Sequence, residues 1–240
     1  MAEPARPTHV RPRLAEVDVA AVASLFADPA RATMLDALMD GGEHPAGELA
    51  RRAGVAPSTA SGHLSRLLLG GLVSCAATGR ERRYRLASPV IAEALEALSR
   101  LAPPVEVRSL RAADRGEAIR EARTCYDHLA GQLGVRLTDA LVKRRLLIPR
   151  DTGYELRPAG ELELARLGVD VAAARRRRRA FALACLDWSE RRPHLAGALG
   201  AALAGALFDH GWLKRRPNDR GLTVTEEGRA SLAEIGVDLT

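Results

Sequence analysis

The chain has 240 residues and a formal net charge of +6, and 47% of its residues are hydrophobic but only 3% are aromatic. This length allows one or two domains, and a core so poor in aromatic side chains must be built mainly from Ala, Leu and Val, which favours helices. An odd number of cysteines, three, argues against a disulfide-stabilised secreted protein. The sequence shows no apolar leader segment and no run approaching the roughly 18 apolar residues of a membrane span. We therefore expect a cytoplasmic protein with no membrane partner.

The first predicted elements along the chain are two short helices. The segment DPARATMLDALMDGGEH predicts a helix that begins at Pro29 and stops at Gly41. The segment AGELARRAG predicts a second helix, which ends at Gly54. Residues 1–17, which precede both helices, are expected to form a flexible tail.

The third predicted helix, PSTASGHLSRLLLGG, has one apolar face and one polar face. It begins at Pro57, and its inward face is formed by Ala60, Leu64, Leu67 and Leu68. Small polar side chains cover the opposite face, which allows the helix to approach another molecule closely. Alternating residues on both sides of the segment TGRE then predict a β-hairpin. Together these elements predict a winged helix-turn-helix domain over residues 18–103.

This combination predicts binding to double-stranded DNA. A helix that enters the major groove needs short donors and acceptors near its N-terminus, and arginines on the hairpin would hold the adjacent phosphates. Residues 51–85 contain seven arginines and one acid, Glu81, so positive charge is concentrated here. The predicted DNA contacts are Ser58, Thr59, Ser61, His63 and Arg66 on the helix and Arg80, Arg82 and Arg83 on the hairpin. For His63 the alternative is a hydrogen-bonded residue at the domain boundary.

The segment ELARRAGVAPSTASGHLSRLLLGGLVSCAATGRERRYRL resembles the winged-helix core of the arsenical-resistance repressor (ArsR) family. The spacing S-x-H-L-x-x-L, the Gly-Leu-Val after it and the Gly-Arg…Tyr-x-Leu hairpin carry the resemblance. It implies a homodimeric repressor that leaves its operator when an effector binds. The chain departs from the family at Ala56, where a capping residue is usual, and at Gly62, where a longer side chain is usual.

The metal sites of that family do not carry over to this chain. The predicted third helix would be the DNA-recognition helix, and the predicted second helix before it contains no Cys. Residues 89–101 contain no His. The leucines and alanines of residues 89–101 instead predict a dimer seam. A homodimer is also required if two half-sites one helical turn apart are to be read by a chain with a single recognition helix.

The second half of the chain, residues 104–240, repeats itself and is predicted to form a sensor domain. The signature CYDHLAG in the first repeat, about residues 118–172, matches CLDWSERRPHLAG in the second, about residues 178–240. Because neither repeat could form a core alone, we expect them to pack on one another. The predicted fold class is therefore mainly α with small β-hairpins: a winged helix-turn-helix followed by a helical domain of two repeats. The basic run at residues 175–179 is interpreted as an exposed helical face.

Each repeat begins with a Cys, an Asp two residues later and then a His. The preferred interpretation is a small-molecule pocket between the repeats, lined by Tyr126, His128, Asp187, Trp188, Arg191 and His194. The alternatives are a site for zinc, another thiophilic metal, haem iron or oxidation, formed by Cys125, His128, Cys185 and His194, or a packing role for the same side chains. Packing is favoured over a metal because a structural zinc site needs four converging ligands.

Two other classes of protein fit the sequence less well than a regulator does. An enzyme is not predicted, because no nucleophile elbow, phosphate loop or Gly-rich cofactor motif accompanies the Cys, His and Asp residues. The identity of a cofactor or effector does not follow from the sequence. A purely architectural DNA-binding protein would not need a duplicated second domain.

Overall fold

The structure, a computed structural model, describes residues 17–239 except 80, 104, 105, 107, 108 and 218. The predicted N-terminal tail lies outside the described residues apart from Val17, and Arg80 of the predicted hairpin lies outside them too. In the part of the chain that is described, no helix is long and apolar enough to cross a membrane.

The first half of the chain has the elements of a winged helix. Its helices are α1 (Val19–Phe26), α2 (Pro29–Ala37), α3 (Ala46–Ala53), α4 (Pro57–Leu69) and α5 (Pro89–Leu101), with a short 3-10 helix (Leu38–Asp40) after α2. Its strands are β1 (His44–Pro45), β2 (Val73–Thr78) and β3 (Glu81–Leu86), which form an antiparallel sheet in the order β1-β3-β2. The predicted winged helix-turn-helix with a small β-hairpin is confirmed.

Local signals in the sequence set the ends of α2. The Asp28 side chain accepts a hydrogen bond from the Arg31 backbone N–H at 2.9 Å, and Pro29 takes the first helical position. The 3-10 helix that follows ends at Gly41, whose φ of +72° favours glycine. A Cβ there would lie 2.6 Å from the backbone carbonyl oxygen of Tyr126. The missing side chain therefore also lets the second half of the chain pack closely against this turn.

The core of the first half lies between the apolar faces of α2, α3 and α4 and the sheet. Of the predicted inward face of α4, Ala60, Leu64 and Leu67 are buried, whereas Leu68 is only partly buried. Cys125 and Ala130, which belong to the second half of the chain, are part of this same core. The two halves are therefore packed together rather than joined only by a linker.

The second half contains two successive sets of elements in the same order. The first set follows α6 (Leu110–Glu121) and consists of β4 (Arg123–Cys125), β5 (His128–Ala130), α7 (Gly131–Lys143), β6 (Leu147–Arg150), β7 (Gly153–Leu156) and α8 (Pro158–Arg166). The second set follows α9 (Val171–Arg176) and consists of β8 (Leu183–Leu186), β9 (Pro193–Ala196), α10 (Gly197–Asp209), β10 (Leu213–Arg215), β11 (Leu222–Val224) and α11 (Glu226–Glu234). That the two sets are a sequence repeat stays a prediction.

The two sets share one hydrophobic core. Four leucines at helical spacing from each set are buried in it, namely Leu129, Leu133, Leu137 and Leu141 from the first set and Leu195, Leu199, Leu203 and Leu207 from the second. The pairing of Gly153 with Leu183 also joins strands of both sets into one sheet, in the order β6-β7-β8-β9. A shared core and a shared sheet hold the two sets in a defined arrangement.

The basic run at residues 175–179 does not form a single helical face. Helix α9 ends at Arg176. Arg179 is half-buried, and both of its terminal guanidinium nitrogens donate to the carboxylate of Asp127. The predicted exposed helical face is therefore wrong for Arg179, because an ion pair with the first set of elements holds this side chain.

Candidate functional site

The outward face of α4 is polar and exposed. Ser58, Thr59, Ser61 and Arg66 all lie on it with exposed side chains. The Ser61 hydroxyl donates to the Pro57 carbonyl oxygen at 3.1 Å, which leaves its oxygen able to accept from another molecule. Ala56, at the N-cap position of α4, makes no side-chain cap hydrogen bond, which favours binding of a phosphate by the first backbone N–H groups of the helix.

His63 occupies a different position from the other polar residues of α4. Its side chain is only 15% exposed, and its Nδ1 lies 3.6 Å from Oδ1 of Asp28, the residue that caps α2. This placement favours the boundary alternative over contact with a base edge.

The β2–β3 hairpin presents arginines beside α4. The side chain of Arg82 is exposed. Arg83 is half-buried and donates through Nη2 to the Glu43 carbonyl oxygen at 2.9 Å. Arg83 therefore ties the hairpin to the segment before β1, whereas Arg82 points to solvent.

A second group of functional side chains lies on two hairpins of the second half. Cys125 pairs with His128 across β4 and β5, and Cys185 pairs with His194 across β8 and β9. Residues directly opposite one another on antiparallel strands project their side chains from the same face. Each hairpin thus presents one Cys beside one His, and the two hairpins meet at these pairs.

The four side chains converge on one point, and we call them the Cys2His2 cluster. The Sγ atoms of Cys125 and Cys185 are 4.0 Å apart, and the Nε2 atoms of His128 and His194 are 3.2 Å apart. One ligand atom from each residue lies within 4.8 Å of all the others. Cys125, His128 and His194 are buried, and Cys185 is partly buried. The convergence that a metal site requires, and that the sequence alone did not indicate, is therefore present.

Each histidine of the cluster faces a carboxylate on its other side. Nδ1 of His194 lies 3.3 Å from Oδ2 of Asp187, and Nδ1 of His128 lies 3.5 Å from Oδ1 of Asp127. Asp187 is itself held by Nη2 of Arg123 at 2.8 Å and by the Gly131 backbone N–H at 2.7 Å. This surrounding favours a proton on Nδ1 of each ring and leaves Nε2 to face the cluster.

The same contacts shift the pKa values within the cluster. Burial opposes ionisation of Asp187, but His194 and Arg123 hold the pKa of its carboxyl well below its usual range. Burial likewise opposes a charge on His194, yet Asp187 and Cys185 raise its pKa to about 9. A hydrogen bond from Cys125 is the main cause that lowers the pKa of the Cys185 thiol, while the pKa of Cys125 is raised. These shifts favour the thiolate form of Cys185 and the protonated form of His194.

Comparison with known proteins places this chain in a family. A "Helix-turn-helix domain" family model matches residues 26–76. The chain is 43% identical to the "Uncharacterized HTH-type transcriptional regulator YdfF" of Bacillus subtilis (strain 168) over 212 residues. These residues make up 88% of this chain and 94% of YdfF. The chain belongs to the HTH-type transcriptional regulators.

Two further matches each cover less than half of the regulator. The HTH-type transcriptional regulator CmtR of Mycobacterium bovis is 38% identical over 107 residues, which cover 43% of this chain and 90% of CmtR. The crystal structure of NolR from Sinorhizobium fredii matches 36% of this chain and 85% of NolR, at 32% identity and a TM-score of 0.33. The predicted class, a helix-turn-helix transcriptional regulator, is confirmed, and the relatives YdfF and CmtR are regulators rather than enzymes. Which side chains contact DNA or an effector stays a prediction.

A cavity of about 480 Å³ opens beside the Cys2His2 cluster, between α5 and the two hairpins. Of the predicted effector-binding residues, Tyr126 and His128 line this cavity. Asp187 and His194 are fully buried, and their facing atoms are already engaged with each other. Trp188 and Arg191 lie outside the lining, and Arg191 donates to the Arg100 carbonyl oxygen at 3.1 Å. The structure thus corrects the prediction that all six residues line one pocket.

Two ion pairs of the buried Arg220 connect the second half of the regulator to α2 and α5. Nη1 of Arg220 donates to Glu96 Oε1 at 2.8 Å, and Nε of Arg220 lies 3.1 Å from Oδ1 of Asp36. The Tyr126 backbone N–H also donates to the Met39 carbonyl oxygen at 2.6 Å. Sequence reasoning missed these contacts, and it missed Arg123 as well, because no local pattern marks a charge whose partner is distant in the chain.

Proposed function

We propose that this regulator is a homodimeric repressor that binds operator DNA through α4 and the β2–β3 hairpin. An effector sensed in the second half of the chain would release it. The exposed polar face of α4, with its uncapped N-terminus and Arg82 beside it, is the observation that carries the proposal. We also propose that the protein acts in the cytoplasm, where its free cysteines stay reduced.

Substitutions on the proposed DNA-binding surface are expected to have two different effects on DNA affinity. Ser61→Ala and Arg66→Ala are expected to weaken binding to the operator more than binding to unrelated DNA, because these side chains lie on the face that would enter the groove. Arg82→Ala is expected to weaken binding to all sequences and to flatten the slope of log K against log salt by about one unit. Fluorescence anisotropy on an operator found by footprinting measures both effects.

Arg166→Ala is the matched control for Arg82→Ala, because Arg166 is an exposed arginine of α8 and does not belong to the proposed surface. The control is expected to leave the salt slope unchanged. An equal slope for Arg82→Ala and the unmodified regulator would remove the hairpin from the DNA-binding surface. Diffuse footprints without a protected site would instead favour an architectural protein.

Exposed apolar side chains on α1 and α5 support the homodimer. On α1, Val19 and Val22 are 69% and 47% exposed, and on α5 Val90, Leu98 and Leu101 are 66%, 46% and 83% exposed. A helix with this much apolar surface in water is stabilised when a second copy covers it. The predicted seam at residues 89–101 has the same bounds as α5.

Leu98→Glu tests the dimer, since a carboxylate in an apolar seam must either lose its water or separate the subunits. We expect light scattering to give the mass of a monomer and the affinity for a palindromic operator to fall at least tenfold. Leu162→Glu on α8, where Leu162 is 68% exposed, is the control and should stay dimeric. A dimeric Leu98→Glu variant would place the seam elsewhere.

The contacts of Arg220 with Glu96 and Asp36 support an effector site in the second half. They join that half to α5, the proposed dimer helix, and to α2, which packs on α3 and α4. A ligand that changes the second half would therefore change the spacing of the two recognition helices. To act as an effector, the ligand must bind the conformation with one spacing of these helices more tightly than the conformation with another.

A further inference from the structure

We propose that the Cys2His2 cluster is a tetrahedral binding site for a zinc-group divalent metal ion, and that this ion is the effector of the proposed repressor. The second clause rests on the proposed function, whereas the site itself does not. Both hairpins of the second half contribute to it, with Cys125 and His128 from one and Cys185 and His194 from the other.

The ligand set selects the class of metal. Two sulfurs and two imidazole nitrogens suit zinc and its softer relative cadmium, whereas magnesium and calcium prefer oxygen ligands. Haem fits the cluster poorly, because its iron takes axial ligands on opposite faces of the ring. That ring would have to pass between two histidines whose Nε2 atoms are 3.2 Å apart.

The distances agree with tetrahedral coordination. Sulfurs about 2.3 Å from a zinc ion, at tetrahedral angles, are about 3.8 Å apart, and nitrogens about 2.05 Å from it are about 3.3 Å apart. The cluster has 4.0 Å between its sulfurs and 3.2 Å between its nitrogens. These two distances are therefore already close to those around a bound ion, whereas the largest separation among the four ligand atoms, up to 4.8 Å, would shorten to about 3.6 Å on binding.

The carboxylates behind the two rings provide an independent geometric argument. Nδ1 of His128 lies 3.5 Å from Asp127, and Nδ1 of His194 lies 3.3 Å from Asp187. A histidine that binds a metal through one ring nitrogen commonly has a carboxylate beside the other, which orients the ring. Both histidines of the cluster therefore have the surroundings of metal ligands.

The site is accessible from solvent and connected to the dimer helix. Cys125, His128 and Cys185 line the 480 Å³ cavity, and so does Glu96 of α5. Cys125 also belongs to the core of the first half. An ion that draws the two hairpins together would therefore pull on Cys125 and act on the Glu96–Arg220 pair. This is a physical route from the metal to α5.

The binding test uses the full chain, reduced and freed of metal with a chelator that is then removed. Titration with Zn²⁺ against a chromophoric chelator should give one ion per chain, and Co²⁺ should give the visible absorption of a tetrahedral site with thiolate ligands. Cys185→Ser should lose the Co²⁺ spectrum and at least tenfold in Zn²⁺ affinity. Cys75→Ser, which alters a free, partly buried cysteine outside the cluster, should retain both.

Three results would overturn the site: no stoichiometric Zn²⁺, an octahedral Co²⁺ spectrum, or equal binding by Cys185→Ser and the unmodified chain. Circular dichroism checks that each variant is folded. If Cys185→Ser does not fold, the Co²⁺ spectrum of the unmodified chain still decides.

The effector role is tested on the operator fragment. Zn²⁺ should lower the operator affinity of the unmodified chain by roughly 5- to 150-fold, the usual range of allosteric coupling, and Cys185→Ser should lose this response. Stoichiometric Zn²⁺ with unchanged operator affinity would overturn the effector role and leave the site. Stoichiometric Zn²⁺ without any operator binding would overturn the proposed function and leave the site.

Discussion

Asp187→Ala is expected to lower the free energy of unfolding by about 3–5 kcal/mol, the usual cost of leaving a buried charge without its partner. Arg123 is fully buried, and its Nη2 donates to Asp187 at 2.8 Å. Asp187 also accepts hydrogen bonds from the backbone N–H groups of Gly131 and Ser189. The substitution would leave these backbone donors without an acceptor and the Arg123 guanidinium without its counterion. Urea unfolding in the presence of a chelator measures the loss without any contribution from bound metal.

Asp139→Ala is the matched control for this prediction. Asp139 pairs with Arg192 at the same 2.8 Å, but the two side chains are 43% and 59% exposed. A solvent-exposed ion pair contributes about 0–1 kcal/mol, so little loss is expected. If both alanine variants unfolded at the same urea concentration, the Arg123–Asp187 pair would have no special role in stability.

Arg220→Met is expected to lower the free energy of unfolding by a similar amount, because Arg220 joins the two halves of the chain through its ion pair with Glu96. It leaves Glu96, whose side chain is 1% exposed, as an isolated carboxylate, at a cost of about 3–5 kcal/mol. Replacing both partners, in the double variant Glu96→Met with Arg220→Met, removes the buried charge. We therefore expect the double variant to be more stable than Arg220→Met alone. Urea unfolding of the two single variants and the double variant gives the coupling energy directly.

A double variant no more stable than Arg220→Met would show that solvent reaches Glu96 through the neighbouring cavity and hydrates its charge. Such a result would also weaken the proposed route from the cluster to α5, which depends on this ion pair.

The winged helix could be predicted from sequence because its signals are local. Pro29 and Pro57 begin helices, Gly41 and Gly54 end them, and the leucines of α4 repeat at helical spacing. Each of these signals acts within a few residues. The observed ends of these helices therefore lie close to the predicted ends.

The Cys2His2 cluster could be predicted only in part. Each Cys and His was recognised, and the short segment between Cys125 and His128 is compatible with a hairpin that sets them opposite one another. The approach of two hairpins about 60 residues apart along the chain depends on the packing of α7 against β9 and α10 against β5. No local pattern encodes that packing, and this is why a packing role was favoured over a metal site.

The environments of His63 and Arg179 also could not be predicted from the local sequence. Both are polar residues in segments that suggested exposure, and each is partly buried beside a carboxylate, His63 near Asp28 and Arg179 against Asp127. A partner that is distant in sequence decides their environment. Charge and spacing alone do not identify that partner.

The pairing of strands β4 and β5 also has a consequence for folding fidelity. This hairpin has only three residue pairs, from Arg123 with Ala130 to Cys125 with His128, and so short a ribbon is marginally stable by itself. A register slip of one residue would turn its side chains to the opposite face, taking Arg123 away from Asp187. A mispaired hairpin would then bury a charge without a counterion, at about 3–5 kcal/mol, more than the roughly 0.5–1.5 kcal/mol of a typical backbone hydrogen bond. The buried Arg123–Asp187 pair therefore favours the native register of this hairpin over a slipped one.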